Sequence, residues 1–472
     1  MGAGDGDMGM MDYQEFLAVK SQQGGQYGFD PVFMPDFLFD FQKALVEWAV
    51  RKGRGAIFAD CGLGKTPMQL VWAENIVRKT NGRVLIITPL AVSHQTIREG
   101  EKFGIEVKRS DDGNPKGNIT VTNYERAHLF TPDDYKGVIC DESSAIKSFH
   151  GVRREIVTSF MRKHHYRLLA TATAAPNDYI ELGTSSEALG YLDRTDMMSR
   201  FFKNDERTSI VAHAKWTGQN GGRQIGWRLK AHAEVPFWKW VSSWARALRK
   251  PSDYDFDDDG FILPPLNETT HIIEAKTTGG LLFEMEAVGL AEERDEQRRT
   301  IYERCEKAAD RVNQHDNSAV VWCNLNEEGK LLSRLIPDCV EISGADSDEK
   351  KEQTFISFSK GEIRVLVTKP KIGAFGLNWQ HCAHEVFFPS HSYEQYYQAV
   401  RRCWRFGQTK PVQIDIVTTK GGANVMENLQ WKSRQADRMF QNLVKHMNAA
   451  ISLSKREYEI VERKVPSWIM NG

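Results

Sequence analysis

The sequence lacks the features that would place the chain in a membrane, in an oxidising compartment or around a structural metal. No apolar run among its 472 residues is long enough to cross a bilayer, and no secretory signal is present. The seven cysteines include no Cys-x-x-Cys pair, so the sequence indicates neither a zinc site nor a disulfide framework. We therefore expect a cytoplasmic protein that is not secreted and has no membrane partner.

An excess of charge of either sign is also missing. The 62 Lys and Arg residues nearly balance the 63 Asp and Glu residues, for a net charge of −1. No overall basic field indicates a nucleic-acid partner, so a site for one must be a local patch. With 41% hydrophobic and 26% charged residues, the composition is that of a globular protein, and the length indicates two or three domains.

The clearest motif is the octapeptide Ala-Asp-Cys-Gly-Leu-Gly-Lys-Thr at Ala59–Thr66. It follows a predicted strand, Ala56–Phe58, and precedes a predicted helix, Pro67–Lys79. A strand, a tight loop ending in Gly-Lys-Thr and a helix are typical of a phosphate-binding loop, although Ala replaces the usual first Gly. We expect Lys65 to reach the β- and γ-phosphates of a nucleotide and Thr66 to hold Mg²⁺.

Other parts of the same region are expected to contact the nucleotide. Glycines let backbone N–H groups turn towards phosphate oxygens, and the N-terminus of the following helix adds positive potential. This predicts phosphate contacts from Gly62, Leu63 and Gly64. Gln42, some twenty residues before Lys65, is a candidate to bond an adenine edge; the alternative is a surface glutamine at the start of a helix.

A second motif is acidic and supplies the carboxylates that act together with a phosphate-binding loop. Val138–Cys140 reads as a buried strand, and the two carboxylates of Asp141 and Glu142 follow it directly. Ligands bind at the carboxyl edge of open α/β sheets. We expect Asp141 to bind Mg²⁺ directly or through water, and Glu142 to orient and deprotonate the attacking water.

Short β-branched runs alternate with helical or polar stretches in two parts of the chain, which predicts parallel sheets with helices on both faces. Few strand signals appear between these parts, and a helical stretch follows the second. The sequence therefore predicts an α/β fold with two lobes and a helical insertion between them. The predicted boundaries are a flexible segment 1–35, lobe 1 at 36–182, an insertion and linker helix at 183–315, lobe 2 at 316–420 and a helical extension 421–472.

The predicted insertion is rich in tryptophan and basic residues. This composition allows two interpretations: a surface on which nucleic-acid bases stack, or a small helical subdomain packed around its aromatic side chains. We favour packing, with the basic residues solvated around it. The five tryptophans are Trp216, Trp227, Trp238, Trp240 and Trp244.

The second lobe contains a helix with a basic face. Ser392 and Gln395 have the spacing of a capping box, so the helix is expected to begin there. Gln398, Arg402 and Arg405 then follow at i, i+4 and i+7 and share one face, whereas Arg401 is expected to point elsewhere. Two arginines and a glutamine on one face fit a γ-phosphate sensor supplied across a cleft, and the alternative is a solvated basic face.

Several loops that follow strands contain residues suited to contacts with phosphodiester groups. Small hydroxyls, glycines and lysines suit contacts to the nucleic-acid backbone rather than to base edges. In the second lobe, the run from Thr368 to Asn378 is a strand that breaks into a glycine-bearing basic loop. The candidate contacts are Thr88, Pro89, Thr122, Thr368, Lys369, Lys371, Gly373 and Asn378.

Taken in order, these motifs resemble those of helicase superfamily two. The closer resemblance is to the Swi/Snf-type translocases on double-stranded DNA, and it rests on Gly62–Thr66, Ile146–Lys147 and Arg402–Gln408. Trp227–Leu248, Pro251–Asp253 and the Cys403–Trp404 pair look like the compact, phage-type members. The resemblance covers roughly residues 36 to 420 and implies a setting in a bacterial or phage-infected cell.

The resemblance implies two RecA-like lobes that bind one ATP with Mg²⁺ between them. Lobe 1 would supply Lys65, Thr66, Asp141 and Glu142, and lobe 2 would supply Arg402 and Arg405 as arginine fingers. Duplex DNA would lie across both lobes of a monomer. One departure is the Asp-Glu-Ser-Ser motif, where Ser144 cannot carry the charge that the wider group often has.

The resemblance makes an ATP-dependent DNA translocase that hydrolyses ATP to ADP and phosphate the expected function. A strand-separating DNA helicase of the same fold is the first alternative, although no long β-hairpin indicates a wedge. A non-catalytic DNA-bound scaffold is disfavoured by the intact Lys65, Glu142 and Arg405. An RNA remodeller is disfavoured by the Swi/Snf-like form of the motifs.

Overall fold

The computed structural model describes residues 25–146, 151–175, 178–205, 226–274, 290–373 and 378–462. Two sheets organise the chain, one of seven strands and one of six, and every strand pair in both is parallel. The predicted α/β fold class with two parallel-sheet lobes is therefore confirmed. Lobe 1 denotes the seven-stranded sheet with its helices, and lobe 2 denotes the six-stranded sheet with its helices.

Lobe 1 is built on strands in the order β3-β4-β2-β5-β6-β1-β9. Its strands are β1 (Arg54–Ala59), β2 (Arg83–Thr88), β3 (Val107–Arg109), β4 (Ile119–Asn123), β5 (Tyr135–Asp141), β6 (Tyr166–Ala170) and β9 (Ala245–Leu248). Its α-helices are α1 (Asp40–Lys52), α2 (Lys65–Thr80), α3 (Leu90–Phe103), α4 (Val152–Arg162), α5 (Leu182–Leu189), α6 (Arg194–Phe201) and α7 (Glu234–Ser242). A separate antiparallel pair consists of β7 (Phe202–Asp205) and β8 (Gly226–Leu229).

Lobe 2 is built on strands in the order β10-β15-β14-β11-β13-β12. These strands are β10 (Leu266–Ile273), β11 (Ala319–Trp322), β12 (Cys339–Ile342), β13 (Val365–Thr368), β14 (His384–Phe387) and β15 (Val412–Thr419). The α-helices that follow β10 are α8 (Leu290–Arg299), α9 (Ile301–Asn313), α10 (Asn326–Leu335), α11 (Asp348–Ser359), α12 (Pro370–Gly373), α13 (Tyr393–Cys403) and α14 (Ala423–Glu462).

The central strands form because their side chains are apolar on both faces. From Gly55 onwards every residue of β1 is buried, and the apolar run Val84–Ile87 of β2 is buried as well. Helices cover both faces of a parallel sheet, so its strands read as continuous apolar runs rather than alternating ones. This is why sequence patterns located the central strands of both lobes.

The predicted helical insertion at 183–315 is wrong in two places. β9 pairs with β1 and completes the sheet of lobe 1, and β10 pairs with β15 and forms an edge of the sheet of lobe 2. β9 reads Ala-Arg-Ala-Leu and lacks β-branched residues, and most residues of β10 are exposed. Tertiary pairing therefore decides β9, whereas the β-branched residues of β10, Thr269, Thr270, Ile272 and Ile273, are a strand signal that the prediction missed.

The prediction of a flexible segment at 1–35 is wrong for the part that the structure describes. The N–H groups of Tyr27 and Gly28 donate to the carbonyls of Lys52 and Arg51 at the end of α1, at 3.0 and 3.1 Å. The N–H groups of Val32 and Phe33 donate to Oδ1 of Asn75 in α2, at 2.8 and 2.9 Å. Residues 25–35 thus pack on lobe 1, and residues 1–24 lie outside the described residues.

The tryptophans around α7 pack inside lobe 1, as favoured. Trp238, Trp240 and Trp244 are almost completely buried in one cluster with Phe201 and Phe237. Trp227 packs against the same cluster, and Trp216 lies outside the described residues. The indole rings of the three buried tryptophans are therefore not available for stacking on bases.

The long helix α14 links the two lobes. It begins after β15 of lobe 2 and runs from Ala423 to Glu462, within the predicted helical extension. Its residues Met439, Phe440 and Leu443 are buried in a core cluster of lobe 1, beside α7 and β9. Among the residues described, no helix is both long and apolar enough to cross a membrane.

Candidate nucleotide site between the lobes

The carboxyl edge of the lobe 1 sheet brings the predicted catalytic motifs together. The phosphate loop follows β1, Asp141 ends β5, and Thr171 follows β6. These three strands are neighbours in the order β5-β6-β1. The phosphate loop thus shares one edge with motifs that lie 75 or more residues after it in the chain, as the sequence predicts.

The phosphate loop requires glycine at two positions. Gly62 and Gly64 have φ angles of +90° and +76°, in the left-handed region that favours glycine. A Cβ atom on Gly64 would lie 2.2 Å from Nε2 of Gln42. That amide donates to the carbonyl of Leu63 at 2.9 Å, and Oε1 of Gln42 accepts from the N–H of Phe39 at 3.0 Å. Gln42 thus holds the loop; its predicted contact to adenine stays a prediction.

Lys65 and Thr66 form the first residues of α2, directly after the loop. Nζ of Lys65 donates to the carbonyl oxygens of Ala59 at 3.0 Å and Asp60 at 3.4 Å. The side chain is partly buried along the loop, and Thr66 is partly buried as well. The lysine ammonium and the threonine hydroxyl therefore lie at the helix N-terminus, where the helix dipole favours anions.

Asp141 is buried and hydrogen-bonded on both carboxylate oxygens. Nε2 of Gln69 donates to Oδ1 at 2.7 Å, and the hydroxyl of Thr88 donates to Oδ2 at 3.3 Å. Burial and the neighbouring Glu142 raise the pKa of Asp141 to about 6, against the opposing effects of Gln69 and Lys65. The carboxylate is thus held in a fixed position facing the phosphate-loop lysine.

Glu142 has an unusual backbone conformation. Its φ angle is +48°, which is uncommon for a residue other than glycine and indicates local strain. Such strain clusters at functional sites, where the surrounding structure maintains it. Oε2 accepts a hydrogen bond from the hydroxyl of Thr171 at 3.3 Å, so the loop after β6 orients the carboxylate.

Lobe 2 places the predicted basic helix opposite the phosphate loop. The hydroxyl of Ser392 accepts from the N–H of Gln395 at 3.3 Å, so the helix α13 starts where the cap predicts. Both amide atoms of Gln398 are buried and have no hydrogen-bond partner among the described residues. Arg402 is buried, and its Nε donates to the carbonyl of Gln398 at 3.1 Å.

Arg405 lies in the loop after α13. Within the described part of the chain, its buried Nε has no hydrogen-bond partner. Burial, and then the neighbouring Arg402, lower the pKa of Arg405 to about 10, while Cys61 of the phosphate loop acts in the opposite direction. Arg405 is therefore a desolvated cation beside the phosphate loop. It lies beyond Cys403, the last residue of α13, so the prediction that it shares a helical face with Gln398 and Arg402 is wrong.

The expectation that Arg401 points away from the site is wrong. Nη2 of Arg401 lies 2.5 Å from Oδ2 of Asp60, the second residue of the predicted loop motif. The hydroxyl of Tyr397 donates to Oδ1 of the same carboxylate. The helical wheel separated Arg401 from Arg402 and Arg405, but it contained no information about lobe 1, which lies against this face of the helix as well.

Aromatic side chains join the lobes next to this ion pair. Phe406 of lobe 2 stacks on Phe261 with ring centroids 4.7 Å apart, and Phe39 of lobe 1 lies edge-on to Phe261 at 5.1 Å. A Cβ atom on Gly62 would lie 2.8 Å from the backbone nitrogen of Phe406. The loop after α13 and the phosphate loop are thus in direct contact.

The predicted nucleic-acid contacts are only partly accessible. The hydroxyls of Thr88, Thr122 and Thr368 are buried, and those of Thr88 and Thr368 bond to Asp141 and to the carbonyl of Ile342. Contacts of these three hydroxyls to phosphodiesters stay predictions.

The remaining predicted contacts follow the strands β2 and β13 in the chain. Lys371 is exposed, whereas Pro89 and Lys369 are partly buried. Gly373 is buried, and a Cβ atom at this position would lie 2.8 Å from Cγ2 of Thr368. Oδ1 of Asn378 is buried and has no partner in the described ranges. Contacts of these residues to DNA stay predictions.

Sequence reasoning missed four residues that shape the site: Gln69, Asp60, Tyr397 and Arg401. Gln69 lies one helical turn after Lys65 on α2, so its spacing could have indicated that it faces the same site. Asp60, Tyr397 and Arg401 gave no signal of pairing, since the two partners of Asp60 lie more than 330 residues away.

Two comparisons with known proteins find similarity to helicases. Residues 302–407 match the family model described as the helicase conserved C-terminal domain. A 197-residue stretch is 29% identical to the DNA annealing helicase and endonuclease ZRANB3 of Mus musculus, covering 37% of this chain and 18% of that protein.

The chain spans about a fifth of the length of the curated relative that it matches. A solved structure, the Sulfolobus solfataricus SWI2/SNF2 ATPase core in complex with dsDNA, is 15% identical to it, with a TM-score of 0.41. That alignment covers 91% of this chain and 97% of the other. The helicase C-terminal match contains α9 to α13, including Gln398, Arg402 and Arg405.

Proposed function

We propose that this protein is an ATP-dependent translocase on double-stranded DNA that hydrolyses ATP to ADP and phosphate. The observation that carries the proposal is the contact between the phosphate loop of lobe 1 and the end of α13 in lobe 2, at Asp60–Arg401 and Gly62–Phe406. Through this contact, the Arg402 and Arg405 guanidinium groups of lobe 2 would act on the same nucleotide as Lys65 and the Asp141–Glu142 carboxylates of lobe 1.

The residues of lobe 1 fit a nucleotide with Mg²⁺. Bound Mg²⁺ would neutralise charge on the phosphate oxygens, and the oxygen ligands it prefers are present in the Thr66 hydroxyl and the Asp141 carboxylate. Lys65 would bind the β- and γ-phosphates after leaving the carbonyls that it now contacts. Glu142, oriented by Thr171, would accept a proton from the attacking water.

The residues of lobe 2 fit the remaining charge on the γ-phosphate. Gln398 offers a buried amide, and Arg405 offers a buried Nε, neither of which has a partner among the residues described. A buried polar group without a partner costs free energy, so a phosphate that satisfies both atoms would be bound favourably. Arg402 and Arg405 would then act as arginine fingers when the lobes close over ATP.

DNA is the nucleic acid on which we propose that the protein acts, for two reasons. The name of the curated relative describes an annealing helicase that acts on DNA. The partly buried Lys369 follows β13 and the exposed Lys371 lies in the short helix α12, and lysines suit sequence-blind contacts to phosphates. Contacts of this kind release counterions from the backbone, so binding should weaken as salt rises.

One set of assays tests the proposal. ATP turnover is measured in parallel with duplex DNA, single-stranded DNA and RNA, at two salt concentrations. A triplex-forming third strand and a forked duplex are then offered as substrates for displacement. We expect stimulation by duplex DNA above that by the other two, depression of that stimulation by salt, and ATP-dependent displacement of the third strand while the fork stays paired.

Each contrary result points to a named alternative. Efficient unwinding of the fork with the triplex left intact would replace the translocase by a strand-separating helicase. Stimulation by RNA above that by duplex DNA would favour an RNA remodeller. DNA binding without any ATP turnover would favour a non-catalytic scaffold.

A further inference from the structure

The contact between Asp60 and Arg401 is the most buried ion pair that joins the two lobes among the described residues. The side chains of Arg401 and Asp60 are only 9% and 4% exposed, and Nη2 lies 2.5 Å from Oδ2. By contrast, the pair between His94 and Glu352 is 43% and 38% exposed, at 3.7 Å. Exposed pairs contribute little to association, whereas breaking a buried pair leaves an uncompensated charge in a low dielectric.

Arg401 is held in place from its own helix as well. Its guanidinium lies over the rings of Tyr397 and Trp404, with Cζ at 5.3 and 4.2 Å from the ring centroids. Tyr397 also donates its hydroxyl to the other oxygen of Asp60. The Asp60 carboxylate of the phosphate loop thus accepts hydrogen bonds from two side chains that are one turn apart on α13.

The Asp60 carboxylate is also hydrogen-bonded to the backbone of the phosphate loop. Its Oδ1 accepts a hydrogen bond from the N–H of Cys61 at 2.6 Å, at the start of the turn that leads to Gly62 and Gly64. The carboxylate therefore connects the loop that would bind phosphate to the helix that carries Gln398 and Arg402. Arg401 is committed to a protein partner, whereas polar atoms of Gln398 and Arg405 have none in the described residues.

We infer that Arg401 is a positioning residue that docks α13 on the phosphate loop through Asp60, with Tyr397 as the second contact, so that Arg402 and Arg405 face the γ-phosphate. Arg401 itself contacts no phosphate. This inference rests on the proposed ATPase for its kinetic part, but the docking of the lobes can be measured without turnover. It divides three arginines within five residues into one that anchors and two that act on the nucleotide.

The test uses the full chain with Arg401→Gln, Arg401→Lys and Tyr397→Phe. The matched control is Arg364→Gln, because Arg364 lies in lobe 2 and donates only to lobe 2 carbonyls, of His315 and Pro337. Labels on the exposed Glu101 of lobe 1 and Lys360 of lobe 2 report the distance between lobes without nucleotide. Thermal melting shows whether each variant is folded, and kcat and KM for ATP are measured with duplex DNA.

For Arg401→Gln we expect a longer label distance and a loss of kcat of roughly 10²-fold, because misplacement of catalytic groups has costs of this size. KM for ATP should change by less than about threefold, since the groups of lobe 1 bind the nucleotide in the open state. Arg401→Lys keeps the charge and should recover most of kcat and the short distance. Tyr397→Phe should give a smaller change in the same direction.

Two results would overturn the inference. One is a label distance in Arg401→Gln equal to that of the parent and of Arg364→Gln. The other is a normal label distance with a rise in KM that matches the fall in kcat/KM, which would make Arg401 a phosphate ligand. If the parent itself hydrolyses no ATP, the proposed function fails, while the label distances still decide whether Arg401 docks the lobes.

Discussion

The hydroxyl of Thr171 lies 3.3 Å from Oε2 of Glu142 and joins the ends of two neighbouring strands, β6 and β5. A carboxylate that is oriented in this way, on a strained backbone, is placed to act as a base. We predict that Glu142→Gln keeps ATP affinity near that of the parent and lowers turnover by roughly 10²- to 10⁴-fold, the usual contribution of general-base catalysis. Equilibrium binding of ATP and steady-state turnover measure the two effects.

Thr171→Val provides the matched test of orientation, because it removes only the hydroxyl. Turnover should fall by about tenfold or less, and ATP affinity should stay unchanged. Near-normal turnover in Glu142→Gln would show that another group activates the water.

Lys65→Ala should weaken both ATP binding and turnover, because the ammonium would contact the β- and γ-phosphates in the ground state and the transition state. Loss of one such stabilising group typically costs about 10²- to 10³-fold in rate. Lys79→Ala at the other end of α2 is the control, since Lys79 is exposed and its Nζ lies over the ring of Phe29 at 5.6 Å. If Lys79→Ala and Lys65→Ala lose equal activity, the assignment of the phosphate loop is wrong.

Arg405→Ala and Arg402→Ala should lose turnover by about 10³- to 10⁵-fold, the range reported for arginine fingers, with little loss of ATP affinity in the open state. The sequence alone suggests Arg401→Ala as a control, but the ion pair with Asp60 makes that variant unsuitable. Lys410→Ala is a better control, because Lys410 is exposed and lies beyond the loop. Equal damage from Lys410→Ala would contradict the assignment.

Asp415 is a completely buried carboxylate that ties together three elements of lobe 2. It accepts hydrogen bonds from His271 of β10 and His384 of β14 at 2.9 Å each, and from Arg311 of α9 at 3.0 Å. We predict that Asp415→Asn lowers the free energy of unfolding of lobe 2 by about 3 kcal/mol, since removing one partner of a buried pair leaves the others uncompensated. Thermal melting against the exposed Glu362→Gln control measures the loss.

The pH dependence of that loss has a defined sign. Burial alone would raise the pKa of Asp415, but His384, His271 and Arg311 outweigh burial and hold the pKa well below its ordinary value of 3.8. The stabilisation is therefore fully present above about pH 3.8 and is lost as the pH falls through the folded-state pKa. The difference in the free energy of unfolding between the parent and Asp415→Asn should stay constant from neutral pH down to about pH 3.8. A difference that already shrinks above pH 5 would contradict the prediction.

Trp244→Ala should destabilise lobe 1 by about 3–5 kcal/mol, the usual cost of removing a buried large aromatic side chain. Trp244 is completely buried and lies edge-on to Phe58 of β1, with ring centroids 6.2 Å apart. The DNA affinity of the folded fraction should stay that of the parent. A soluble and stable variant that has lost DNA affinity would instead restore the interpretation of a stacking surface.

The amino-acid sequence was sufficient where one local segment carries both structure and chemistry. Gly62 and Gly64 are needed for a loop with positive φ angles between a buried strand and a helix, and the Asp141–Glu142 pair ends another buried strand. Apolar runs located the central strands, because parallel strands are buried on both faces. Parallel pairing then brings the carboxyl ends of these strands to one edge, so the sequence predicted which motifs meet.

Only the tertiary structure decided what depends on distant partners. β9 becomes a strand because it can pair with β1, although Ala-Arg-Ala-Leu lacks the residue pattern of a strand, and β10 finds its place by pairing with β15. Arg401 meets Asp60 across 341 residues, so no periodicity within α13 could reveal the contact. Helical spacing determines which side chains share a face, but the position of the other lobe determines which of them are buried, and burial is what gives an ion pair its energetic weight.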